Sequence, residues 1–442
     1  MKAKLIFILT FIIFNISVAQ QSITINECYE KAYKESPIIK KKEYNNRVNN
    51  LKQKIINTNW YPSIELNGQV SYQSDVVQMD LDMSPLINYI NGLIPAGMGS
   101  PNTNAPSFEI PEAPKDQYKI TLDLKQTIYN GGITKKNKKL EEQLLNINNQ
   151  QVEVDLFSIK NQVSQVYFSI TLLDKNIELL QILKQNIDTN ISIMESGVEN
   201  GTILQSNLDV LLAEKLKLNQ QYKELKILKN ATINILELLI NDTLLNNCEL
   251  VMPDIVLFDT IKNKRPELDL FTYNVEMLNA KKTLMKAQLQ PKVYAFSQFG
   301  YGNPGLNMLN NEFDTYYIIG AGFKWTLFDW NKNKNERQII DIQKNIVHIS
   351  EKNFNRNISV AAQQKISEIK KLEELIITDK EIIELRRRIT KNAESQLKNG
   401  IINSSQYLIE FNSEKQALIN NKIHKIQLVQ AKVDYLNLFG NY

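Results

Sequence analysis

SGVENGTILQSNLDVLLAE, residues 196–214, decides the reading of this chain. One long helical pattern stops at Asn200-Gly201 and another starts a few residues later. An Asn-Gly pair supplies a left-handed residue that ends a helix and lets the chain reverse, and Thr202 is placed to cap the returning helix. The same construction recurs as SQLKNGIINSSQYLIEFNSE, residues 395–414, with Asn399-Gly400 at the turn. The chain therefore has two helical tips, near 201 and near 400.

The segments that meet at the first tip are long. Nothing breaks the helical pattern from Ile133 to Val198, which at 1.5 Å per residue predicts a rod of roughly 100 Å. Leu156, Ile159, Val163, Val166, Ile170, Leu173, Ile177 and Leu180 are spaced alternately three and four apart, a heptad seam. Leu208, Leu211, Leu218, Tyr222 and Leu225 keep that spacing on the return, with Lys215 as a polar interruption, so the two helices can pack antiparallel. Helices of ordinary globular bundles average about 11 residues, far below this length.

Upstream the period changes. Ile25 to Tyr33 and Pro37 to Asn59 read as helices, the second opened by a proline. From Ile64 the pattern alternates: Ile64, Leu66, Gly68, Val70 and Tyr72 face one way, and Glu65, Asn67, Gln69 and Ser71 the other. Residues 75–117 carry six prolines and no period, the mark of a long loop. A second alternating strand holds Tyr118, Ile120, Leu122 and Leu124 on its apolar side, and Gly131-Gly132 releases the chain into the long helix.

This order of elements occurs twice. Ser36-Pro37 is answered by Arg265-Pro266 and Pro62 by Pro291; Tyr118 is answered by Tyr317, Thr127 by Thr326 and Ser196 by Ser395. The expected organisation is a leader over 1–19, a first repeat over 20–250 and a second over 251–442. The second repeat has strands at Val293–Tyr301 and Tyr317–Leu327 and a loop over 302–316. Gly300 to Gly305 fits the spacing of a dinucleotide fingerprint, but Asn303-Pro304 leads to a strand and not to the helix that motif requires.

Composition narrows the function. A formal net charge of +4 on 442 residues gives no case for nucleic-acid binding. Lys2 and Lys4, the apolar run Leu5–Ile16 and Ser17-Val18-Ala19 read as a secretory signal, and no cysteine follows to accept a lipid. No later apolar run is long enough for a transmembrane helix, so entry into a membrane has to be through strands. Cys28 and Cys248 can bridge in an oxidising periplasm or remain two thiols; two cysteines define no framework. His348 and His424 lack a second ligand at metal spacing and read as exposed helix positions. No nucleophile elbow, phosphate-binding loop or paired-His motif occurs, so the chain is expected to be no enzyme and to need no cofactor or metal.

Four strands of about ten residues with one apolar face each are the size of barrel strands. Four cannot close a barrel, since about eight are needed, so their edges have to pair with other copies of the chain. Trp60, Trp325 and Trp330 sit at strand–helix junctions beside Tyr61, Tyr129 and Phe328, where an aromatic girdle would meet a membrane interface. The alternative is a soluble periplasmic coiled-coil scaffold with a small structural sheet.

At this point the chain resembles the TolC-like outer-membrane efflux proteins over essentially its whole mature length. The residues that carry the resemblance are Trp60 to Ile64, Thr127 to Gly132, the tip Gly201 to Val210, and their echoes at Pro291, Thr326–Asp329, Gly400–Ser405 and Tyr435–Gly440. The resemblance implies a homotrimer whose four strands per protomer complete a twelve-stranded barrel in outer-membrane lipid, above a helical barrel that forms a periplasmic tunnel. It implies an exit duct for efflux or type I secretion, docked to a periplasmic adaptor coupled to an inner-membrane transporter. The docking residues would be Gly201, Thr202, Ile203, Leu204 and Ser206 with Gly400, Ile401, Ile402 and Ser404. Well-known members carry acids six and nine residues after the second tip glycine, at a periplasmic constriction. Gln406 and Ile409 hold those places here, with Glu410 adjacent but about 100° away on the helix. Arg386-Arg387-Arg388 reads as a solvated run, because three consecutive residues cannot share one helical face.

Overall fold

The structure, a computed structural model, describes residues 22–76, 85–86, 89, 92–93, 114–243, 249–257, 261–308 and 310–442. The expected leader, Cys248 and most of the long loop lie outside them. In chain order the elements are β1 (Ser22–Ile23), α1 (Ile25–Glu35), α2 (Lys40–Asn57), β2 (Ser63–Tyr72), β3 (Asp116–Tyr129), α3 (Ile133–Glu199), α4 (Gln205–Ile240) and β4 (Glu249–Leu250). They continue with α5 (Pro266–Gln288), β5 (Lys292–Asn303), β6 (Asp314–Lys324), α6 (Lys332–Lys398) and α7 (Ser404–Leu438). The succession helix, two strands, two long helices thus occurs twice. Contacts divide the chain differently, into a helical unit (up to Arg47, Leu145–Val275, Lys344–Tyr442) and a sheet unit (Val48–Leu144, Glu276–Gln343), each with segments of both repeats.

In the helical unit, the heptad seam of α3 is buried at Leu156, Val163, Ile170 and Leu180. Two apolar clusters hold the helices together. One gathers Leu183, Ile187 and Met194 of α3 with Leu211 of α4, Leu397 of α6, and Tyr407 and Phe411 of α7. The other joins Ile25, Cys28 and Tyr29 of α1 to Val163 and Phe168, Leu236 and Ile240, and Val433. Within the second cluster β1 pairs in parallel with β4, Ile23 opposite Leu250. Two-residue strands leave no periodic trace in a sequence, and none was expected here. The fully buried Tyr167 ties this pair down, its hydroxyl donating to the carbonyls of Ile23 (3.0 Å) and Val251 (2.7 Å).

The sheet unit contains one antiparallel sheet of order β2-β3-β5-β6. Its register puts like against like. Ile64 faces Leu124, Leu66 faces Leu122 and Val70 faces Tyr118 on one side, while Glu65 faces Asp123 and Asn67 faces Thr121 on the other. β6 runs from Asp314 to Lys324, not from Tyr317 to Leu327. Its ladder ends with Lys324 opposite Lys292, because β5 starts just after Pro291 and offers Trp325–Leu327 no partner. At its other end Asp314 pairs with Gly302, which shortens the expected 302–316 loop to residues 304–313. β3 likewise begins at Asp116, inside the expected loop, since Asp116 pairs with Tyr72.

The turns out of the strands share a backbone. Gly131 and Gly132 have φ of +69° and +80°, and the equivalent positions in the second repeat, Trp330 and Asn331, have +53° and +61°. A Cβ at Gly131 would strike Gln290, whereas Trp330 points its ring outward against Phe328, 4.8 Å between centroids. A bulky side chain is strained in the left-handed region.

Replacing Tyr167 with Phe removes the hydroxyl from both carbonyls, of which Ile23 O keeps its bond from the Val251 amide, and should cost about 1 kcal/mol. Thermal or denaturant melts of the helix signal at equal protein concentration check this, with a lowered midpoint expected.

Candidate functional site

Two regions carry the chemistry suggested by the sequence: the helical tips and the two faces of the sheet. At each tip the last helical turn closes on the glycine. Gly201 (φ +68°) donates to Val198 O and Thr202 N to Gly197 O, while Gly400 (φ +69°) donates to Leu397 O and Ile401 N to Gln396 O. This paired pattern satisfies carbonyls that a helix end leaves open. The side-chain amides of Asn200 and Asn399 donate hydrogen bonds to Ser196 O and Ser395 O, each 2.8 Å.

The tips differ in how the next helix begins. Thr202 does not cap α4: its hydroxyl also turns back to Gly197 O (2.9 Å), and the residue before the helix, Leu204, makes no side-chain cap. In the second tip Asn403 caps α7 reciprocally with Gln406, each side chain bonding the other's backbone N–H.

Within the helical unit the two tips pack side by side. The Ser404 amide donates to Asn207 Oδ1 (3.4 Å), and Asn190 Nδ2 donates to the buried Tyr407 hydroxyl (3.0 Å). Burial pushes the Tyr407 hydroxyl above its ordinary range, so it stays a neutral phenol. Of the nine tip residues, Gly201, Thr202, Leu204, Ser206, Gly400 and Ile401 are exposed. Ile203 and Ile402 tuck against the tip cluster, and Ser404 is fully buried. Ser404 is therefore closed to a partner on this surface.

The possible constriction residues are placed apart in character. Gln406 is occupied by its cap, Ile409 is 63% exposed, and Glu410 binds Arg386 at 3.3 Å. Arg387 reaches Glu414 at 3.8 Å, so two of the three arginines pair across α6 and α7. His424 is not an exposed position: its Nδ1 lies 2.7 Å from Asp379, which is itself buried. His348 is exposed, 3.6 Å from Glu351. Among the described residues no group of His, Cys, Asp and Glu could hold a metal.

One buried cation left no mark in the sequence pattern. Lys415 of α7 is buried and donates to Gln221 Oε1 at 3.2 Å. Burial pushes its ammonium below the ordinary lysine range, with the nearby Glu214 opposing that shift. A lone lysine on a helix is usually solvated, and only the packing of α4 on α7 removes this one from water.

In the sheet unit the apolar face is open. Leu66 and Val70 of β2, and Tyr317, Ile319 and Phe323 of β6, are each 65–76% exposed. The opposite face is polar and internally bonded: Asp123 accepts from Asn67 (2.7 Å), Thr121 (3.0 Å) and Gln298 (2.5 Å). Trp60, Tyr61, Trp325 and Trp330 are all exposed at the strand–helix junctions, with Trp325 Nε1 donating to Leu289 O. No helix among the described residues is long and apolar enough to cross a membrane.

The fold is similar to that of solved outer-membrane channels. The CmeC outer membrane channel of Campylobacter jejuni matches with a TM-score of 0.61 and 15% identity, over 94% of this chain and 85% of that one. The outer membrane protein VceC of Vibrio cholerae matches with a TM-score of 0.62 and 12% identity, over 94% and 96%. The open-state MtrE outer membrane channel of Neisseria gonorrhoeae matches with 0.62 and 12%, over 94% and 89%. No curated protein matches the chain. Strand sheet and helical hairpins together are thus the fold of an outer-membrane channel protomer, with strands for a β-barrel and hairpins for a helical tunnel. Residues 28–239 match the family described as Outer membrane efflux protein. That match spans just under half of the chain, which is similar to this family there, and its place is the outer membrane.

Replacing Lys415 with Met removes a desolvated charge and should stabilise the protein by about 1 kcal/mol near neutral pH. A lysine whose folded pKa is depressed is destabilising below that pKa, and the cost fades as pH rises toward the ordinary lysine value. Melting midpoints of both proteins from pH 7 upward should therefore converge.

Proposed function

We propose that three copies of the chain form a passive exit duct through the outer membrane, within a tripartite efflux or type I secretion system. The observation that carries this reading is the sheet: among the described residues it has four strands, one apolar face exposed to its surroundings, and two outer strands with a neighbour on one side only. A sheet edge cannot stand unpaired in lipid, and four strands cannot close on themselves. Pairing β6 of one copy with β2 of the next closes a barrel, and three copies make it twelve-stranded.

The helices attached to those edges support the same partner. α2, which leads into β2, has no buried residue and displays Val48, Leu51 and Ile55 at helical spacing. α6, which follows β6, displays Ile339 and Ile342, and further along the same helix Ile346 and Ile349. Apolar stripes spaced three and four apart are coiled-coil seams lacking a partner helix. A second copy supplies it.

The tips serve as the docking surface for a periplasmic adaptor, through Gly201, Thr202, Leu204, Ser206, Gly400 and Ile401, with Ile203 and Ile402 as their support. The adaptor couples the duct to an inner-membrane transporter that supplies the energy, since the chain has no phosphate-binding loop. With Gln406 committed to its cap and Glu410 to Arg386, the periplasmic entrance carries no free acidic ring from these positions.

Fractionation tests the setting: the protein should need detergent for release, and release by osmotic shock alone would favour a soluble scaffold instead. Leu51→Asp or Ile342→Asp should convert a detergent-stable trimer to monomer in sedimentation; an unchanged trimer would remove the stripes from the interface. Gly201→Pro or Gly400→Pro forces φ to about −65° and should abolish export while trimers still form. Normal export by assembled variants would remove the tips from docking.

A further inference from the structure

The polar face of the sheet carries lysines near the carboxylates of Asp123 and Glu65 but in ion pairs with neither. Lys292 and Lys324 stand directly opposite each other on the last rung of the β5–β6 ladder. Like charges facing across an antiparallel pair are destabilising. Tyr294 follows two residues along β5, and Lys125, opposite Phe296, leans over the Tyr294 ring with the ammonium 4.6 Å from the centroid. That ring lies flat on Gly322 of β6, whose missing Cβ leaves it room. The tyrosine is therefore a pedestal that fixes Lys125 by a cation–π contact and not by a carboxylate.

None of the three lysines forms an ion pair among the described residues. The neighbouring Asp123 has both oxygens engaged by the Asn67, Thr121 and Gln298 donors, and Glu65 stands across from it on β2. Register puts Lys125, Tyr294, Lys292 and Lys324 on the face that holds Asn67, Asp123 and Gln298. The other face, with Leu66, Leu122, Phe299 and Tyr317, is the one fit for lipid.

We propose that Lys125, Lys292 and Lys324 form an anion-binding belt on the pore wall, at the end of the barrel where the strands meet the helices, favouring passage of small anionic solutes. This rests on the channel reading above. Ammonium groups without an ion-pair partner along a low-dielectric wall raise the local concentration of anions, and a passing anion relieves the repulsion between Lys292 and Lys324.

Planar-bilayer recordings of the purified full-length protein under a potassium chloride gradient test the belt. Lys292→Gln with Lys324→Gln should lower the chloride-to-potassium permeability ratio about twofold or more, and Lys125→Gln alone should shift it the same way. Arginine at 292 and 324 should preserve the wild-type ratio. A conducting double Gln variant, or a conducting Lys125→Gln variant, with the wild-type reversal potential overturns the belt and leaves the channel reading standing. Trimeric wild-type protein that never conducts overturns the channel reading and the belt together.

Discussion

The backbone groups along the outer edges of β2 and β6 are the constraint on which the rest of this molecule depends. In water such an edge is tolerable, but in hydrocarbon each unsatisfied N–H and C=O costs several kcal/mol. A sheet with an open apolar face needs lipid on that face and a neighbour strand on each side. The exposed stripes of α2 and α6 follow from the same arithmetic, because helices continuing from the edge strands inherit the edge position. An apolar side chain at 52–66% exposure, repeated at three- and four-residue spacing, is a seam.

The tips solve the opposite problem, how to end two very long helices without leaving carbonyls bare. A left-handed glycine does so in each repeat, and the asparagine before it adds a second bond to the same turn. The repeats then diverge. The first returns through a hydroxyl folded back on its own helix, the second through an Asn403–Gln406 cap. The position expected to narrow the entrance is thus spent on starting a helix. Two helical starts that differ in this way give the two tips unlike surfaces.

Inside the helical unit, polar groups set the register where apolar packing alone would allow sliding. The Asn190–Tyr407 bond joins α3 to α7, the His424–Asp379 contact joins α7 to α6, and the Tyr167 hydroxyl fastens two chain segments that meet as the short β1–β4 pair. Buried polar contacts of this kind serve specificity better than stability.

The sequence by itself determined the repeat, the long helices, the two glycine tips, the alternating strands and the resemblance to the outer-membrane efflux family, because each is a local period or a local break in one. Only the tertiary structure decided where Ser404 and Lys415 lie, that Thr202 closes one helix without capping the next, that β6 stops at Lys324, and that Lys292 faces Lys324. Those outcomes depend on which residue stands opposite which across distances of tens to hundreds of positions. A period read along one segment fixes its face but not its partner. The opening stretch shows both halves of this: Asn200-Gly201 announced a turn from composition alone, while the bond of its Asn207 to the Ser404 amide came from packing between repeats.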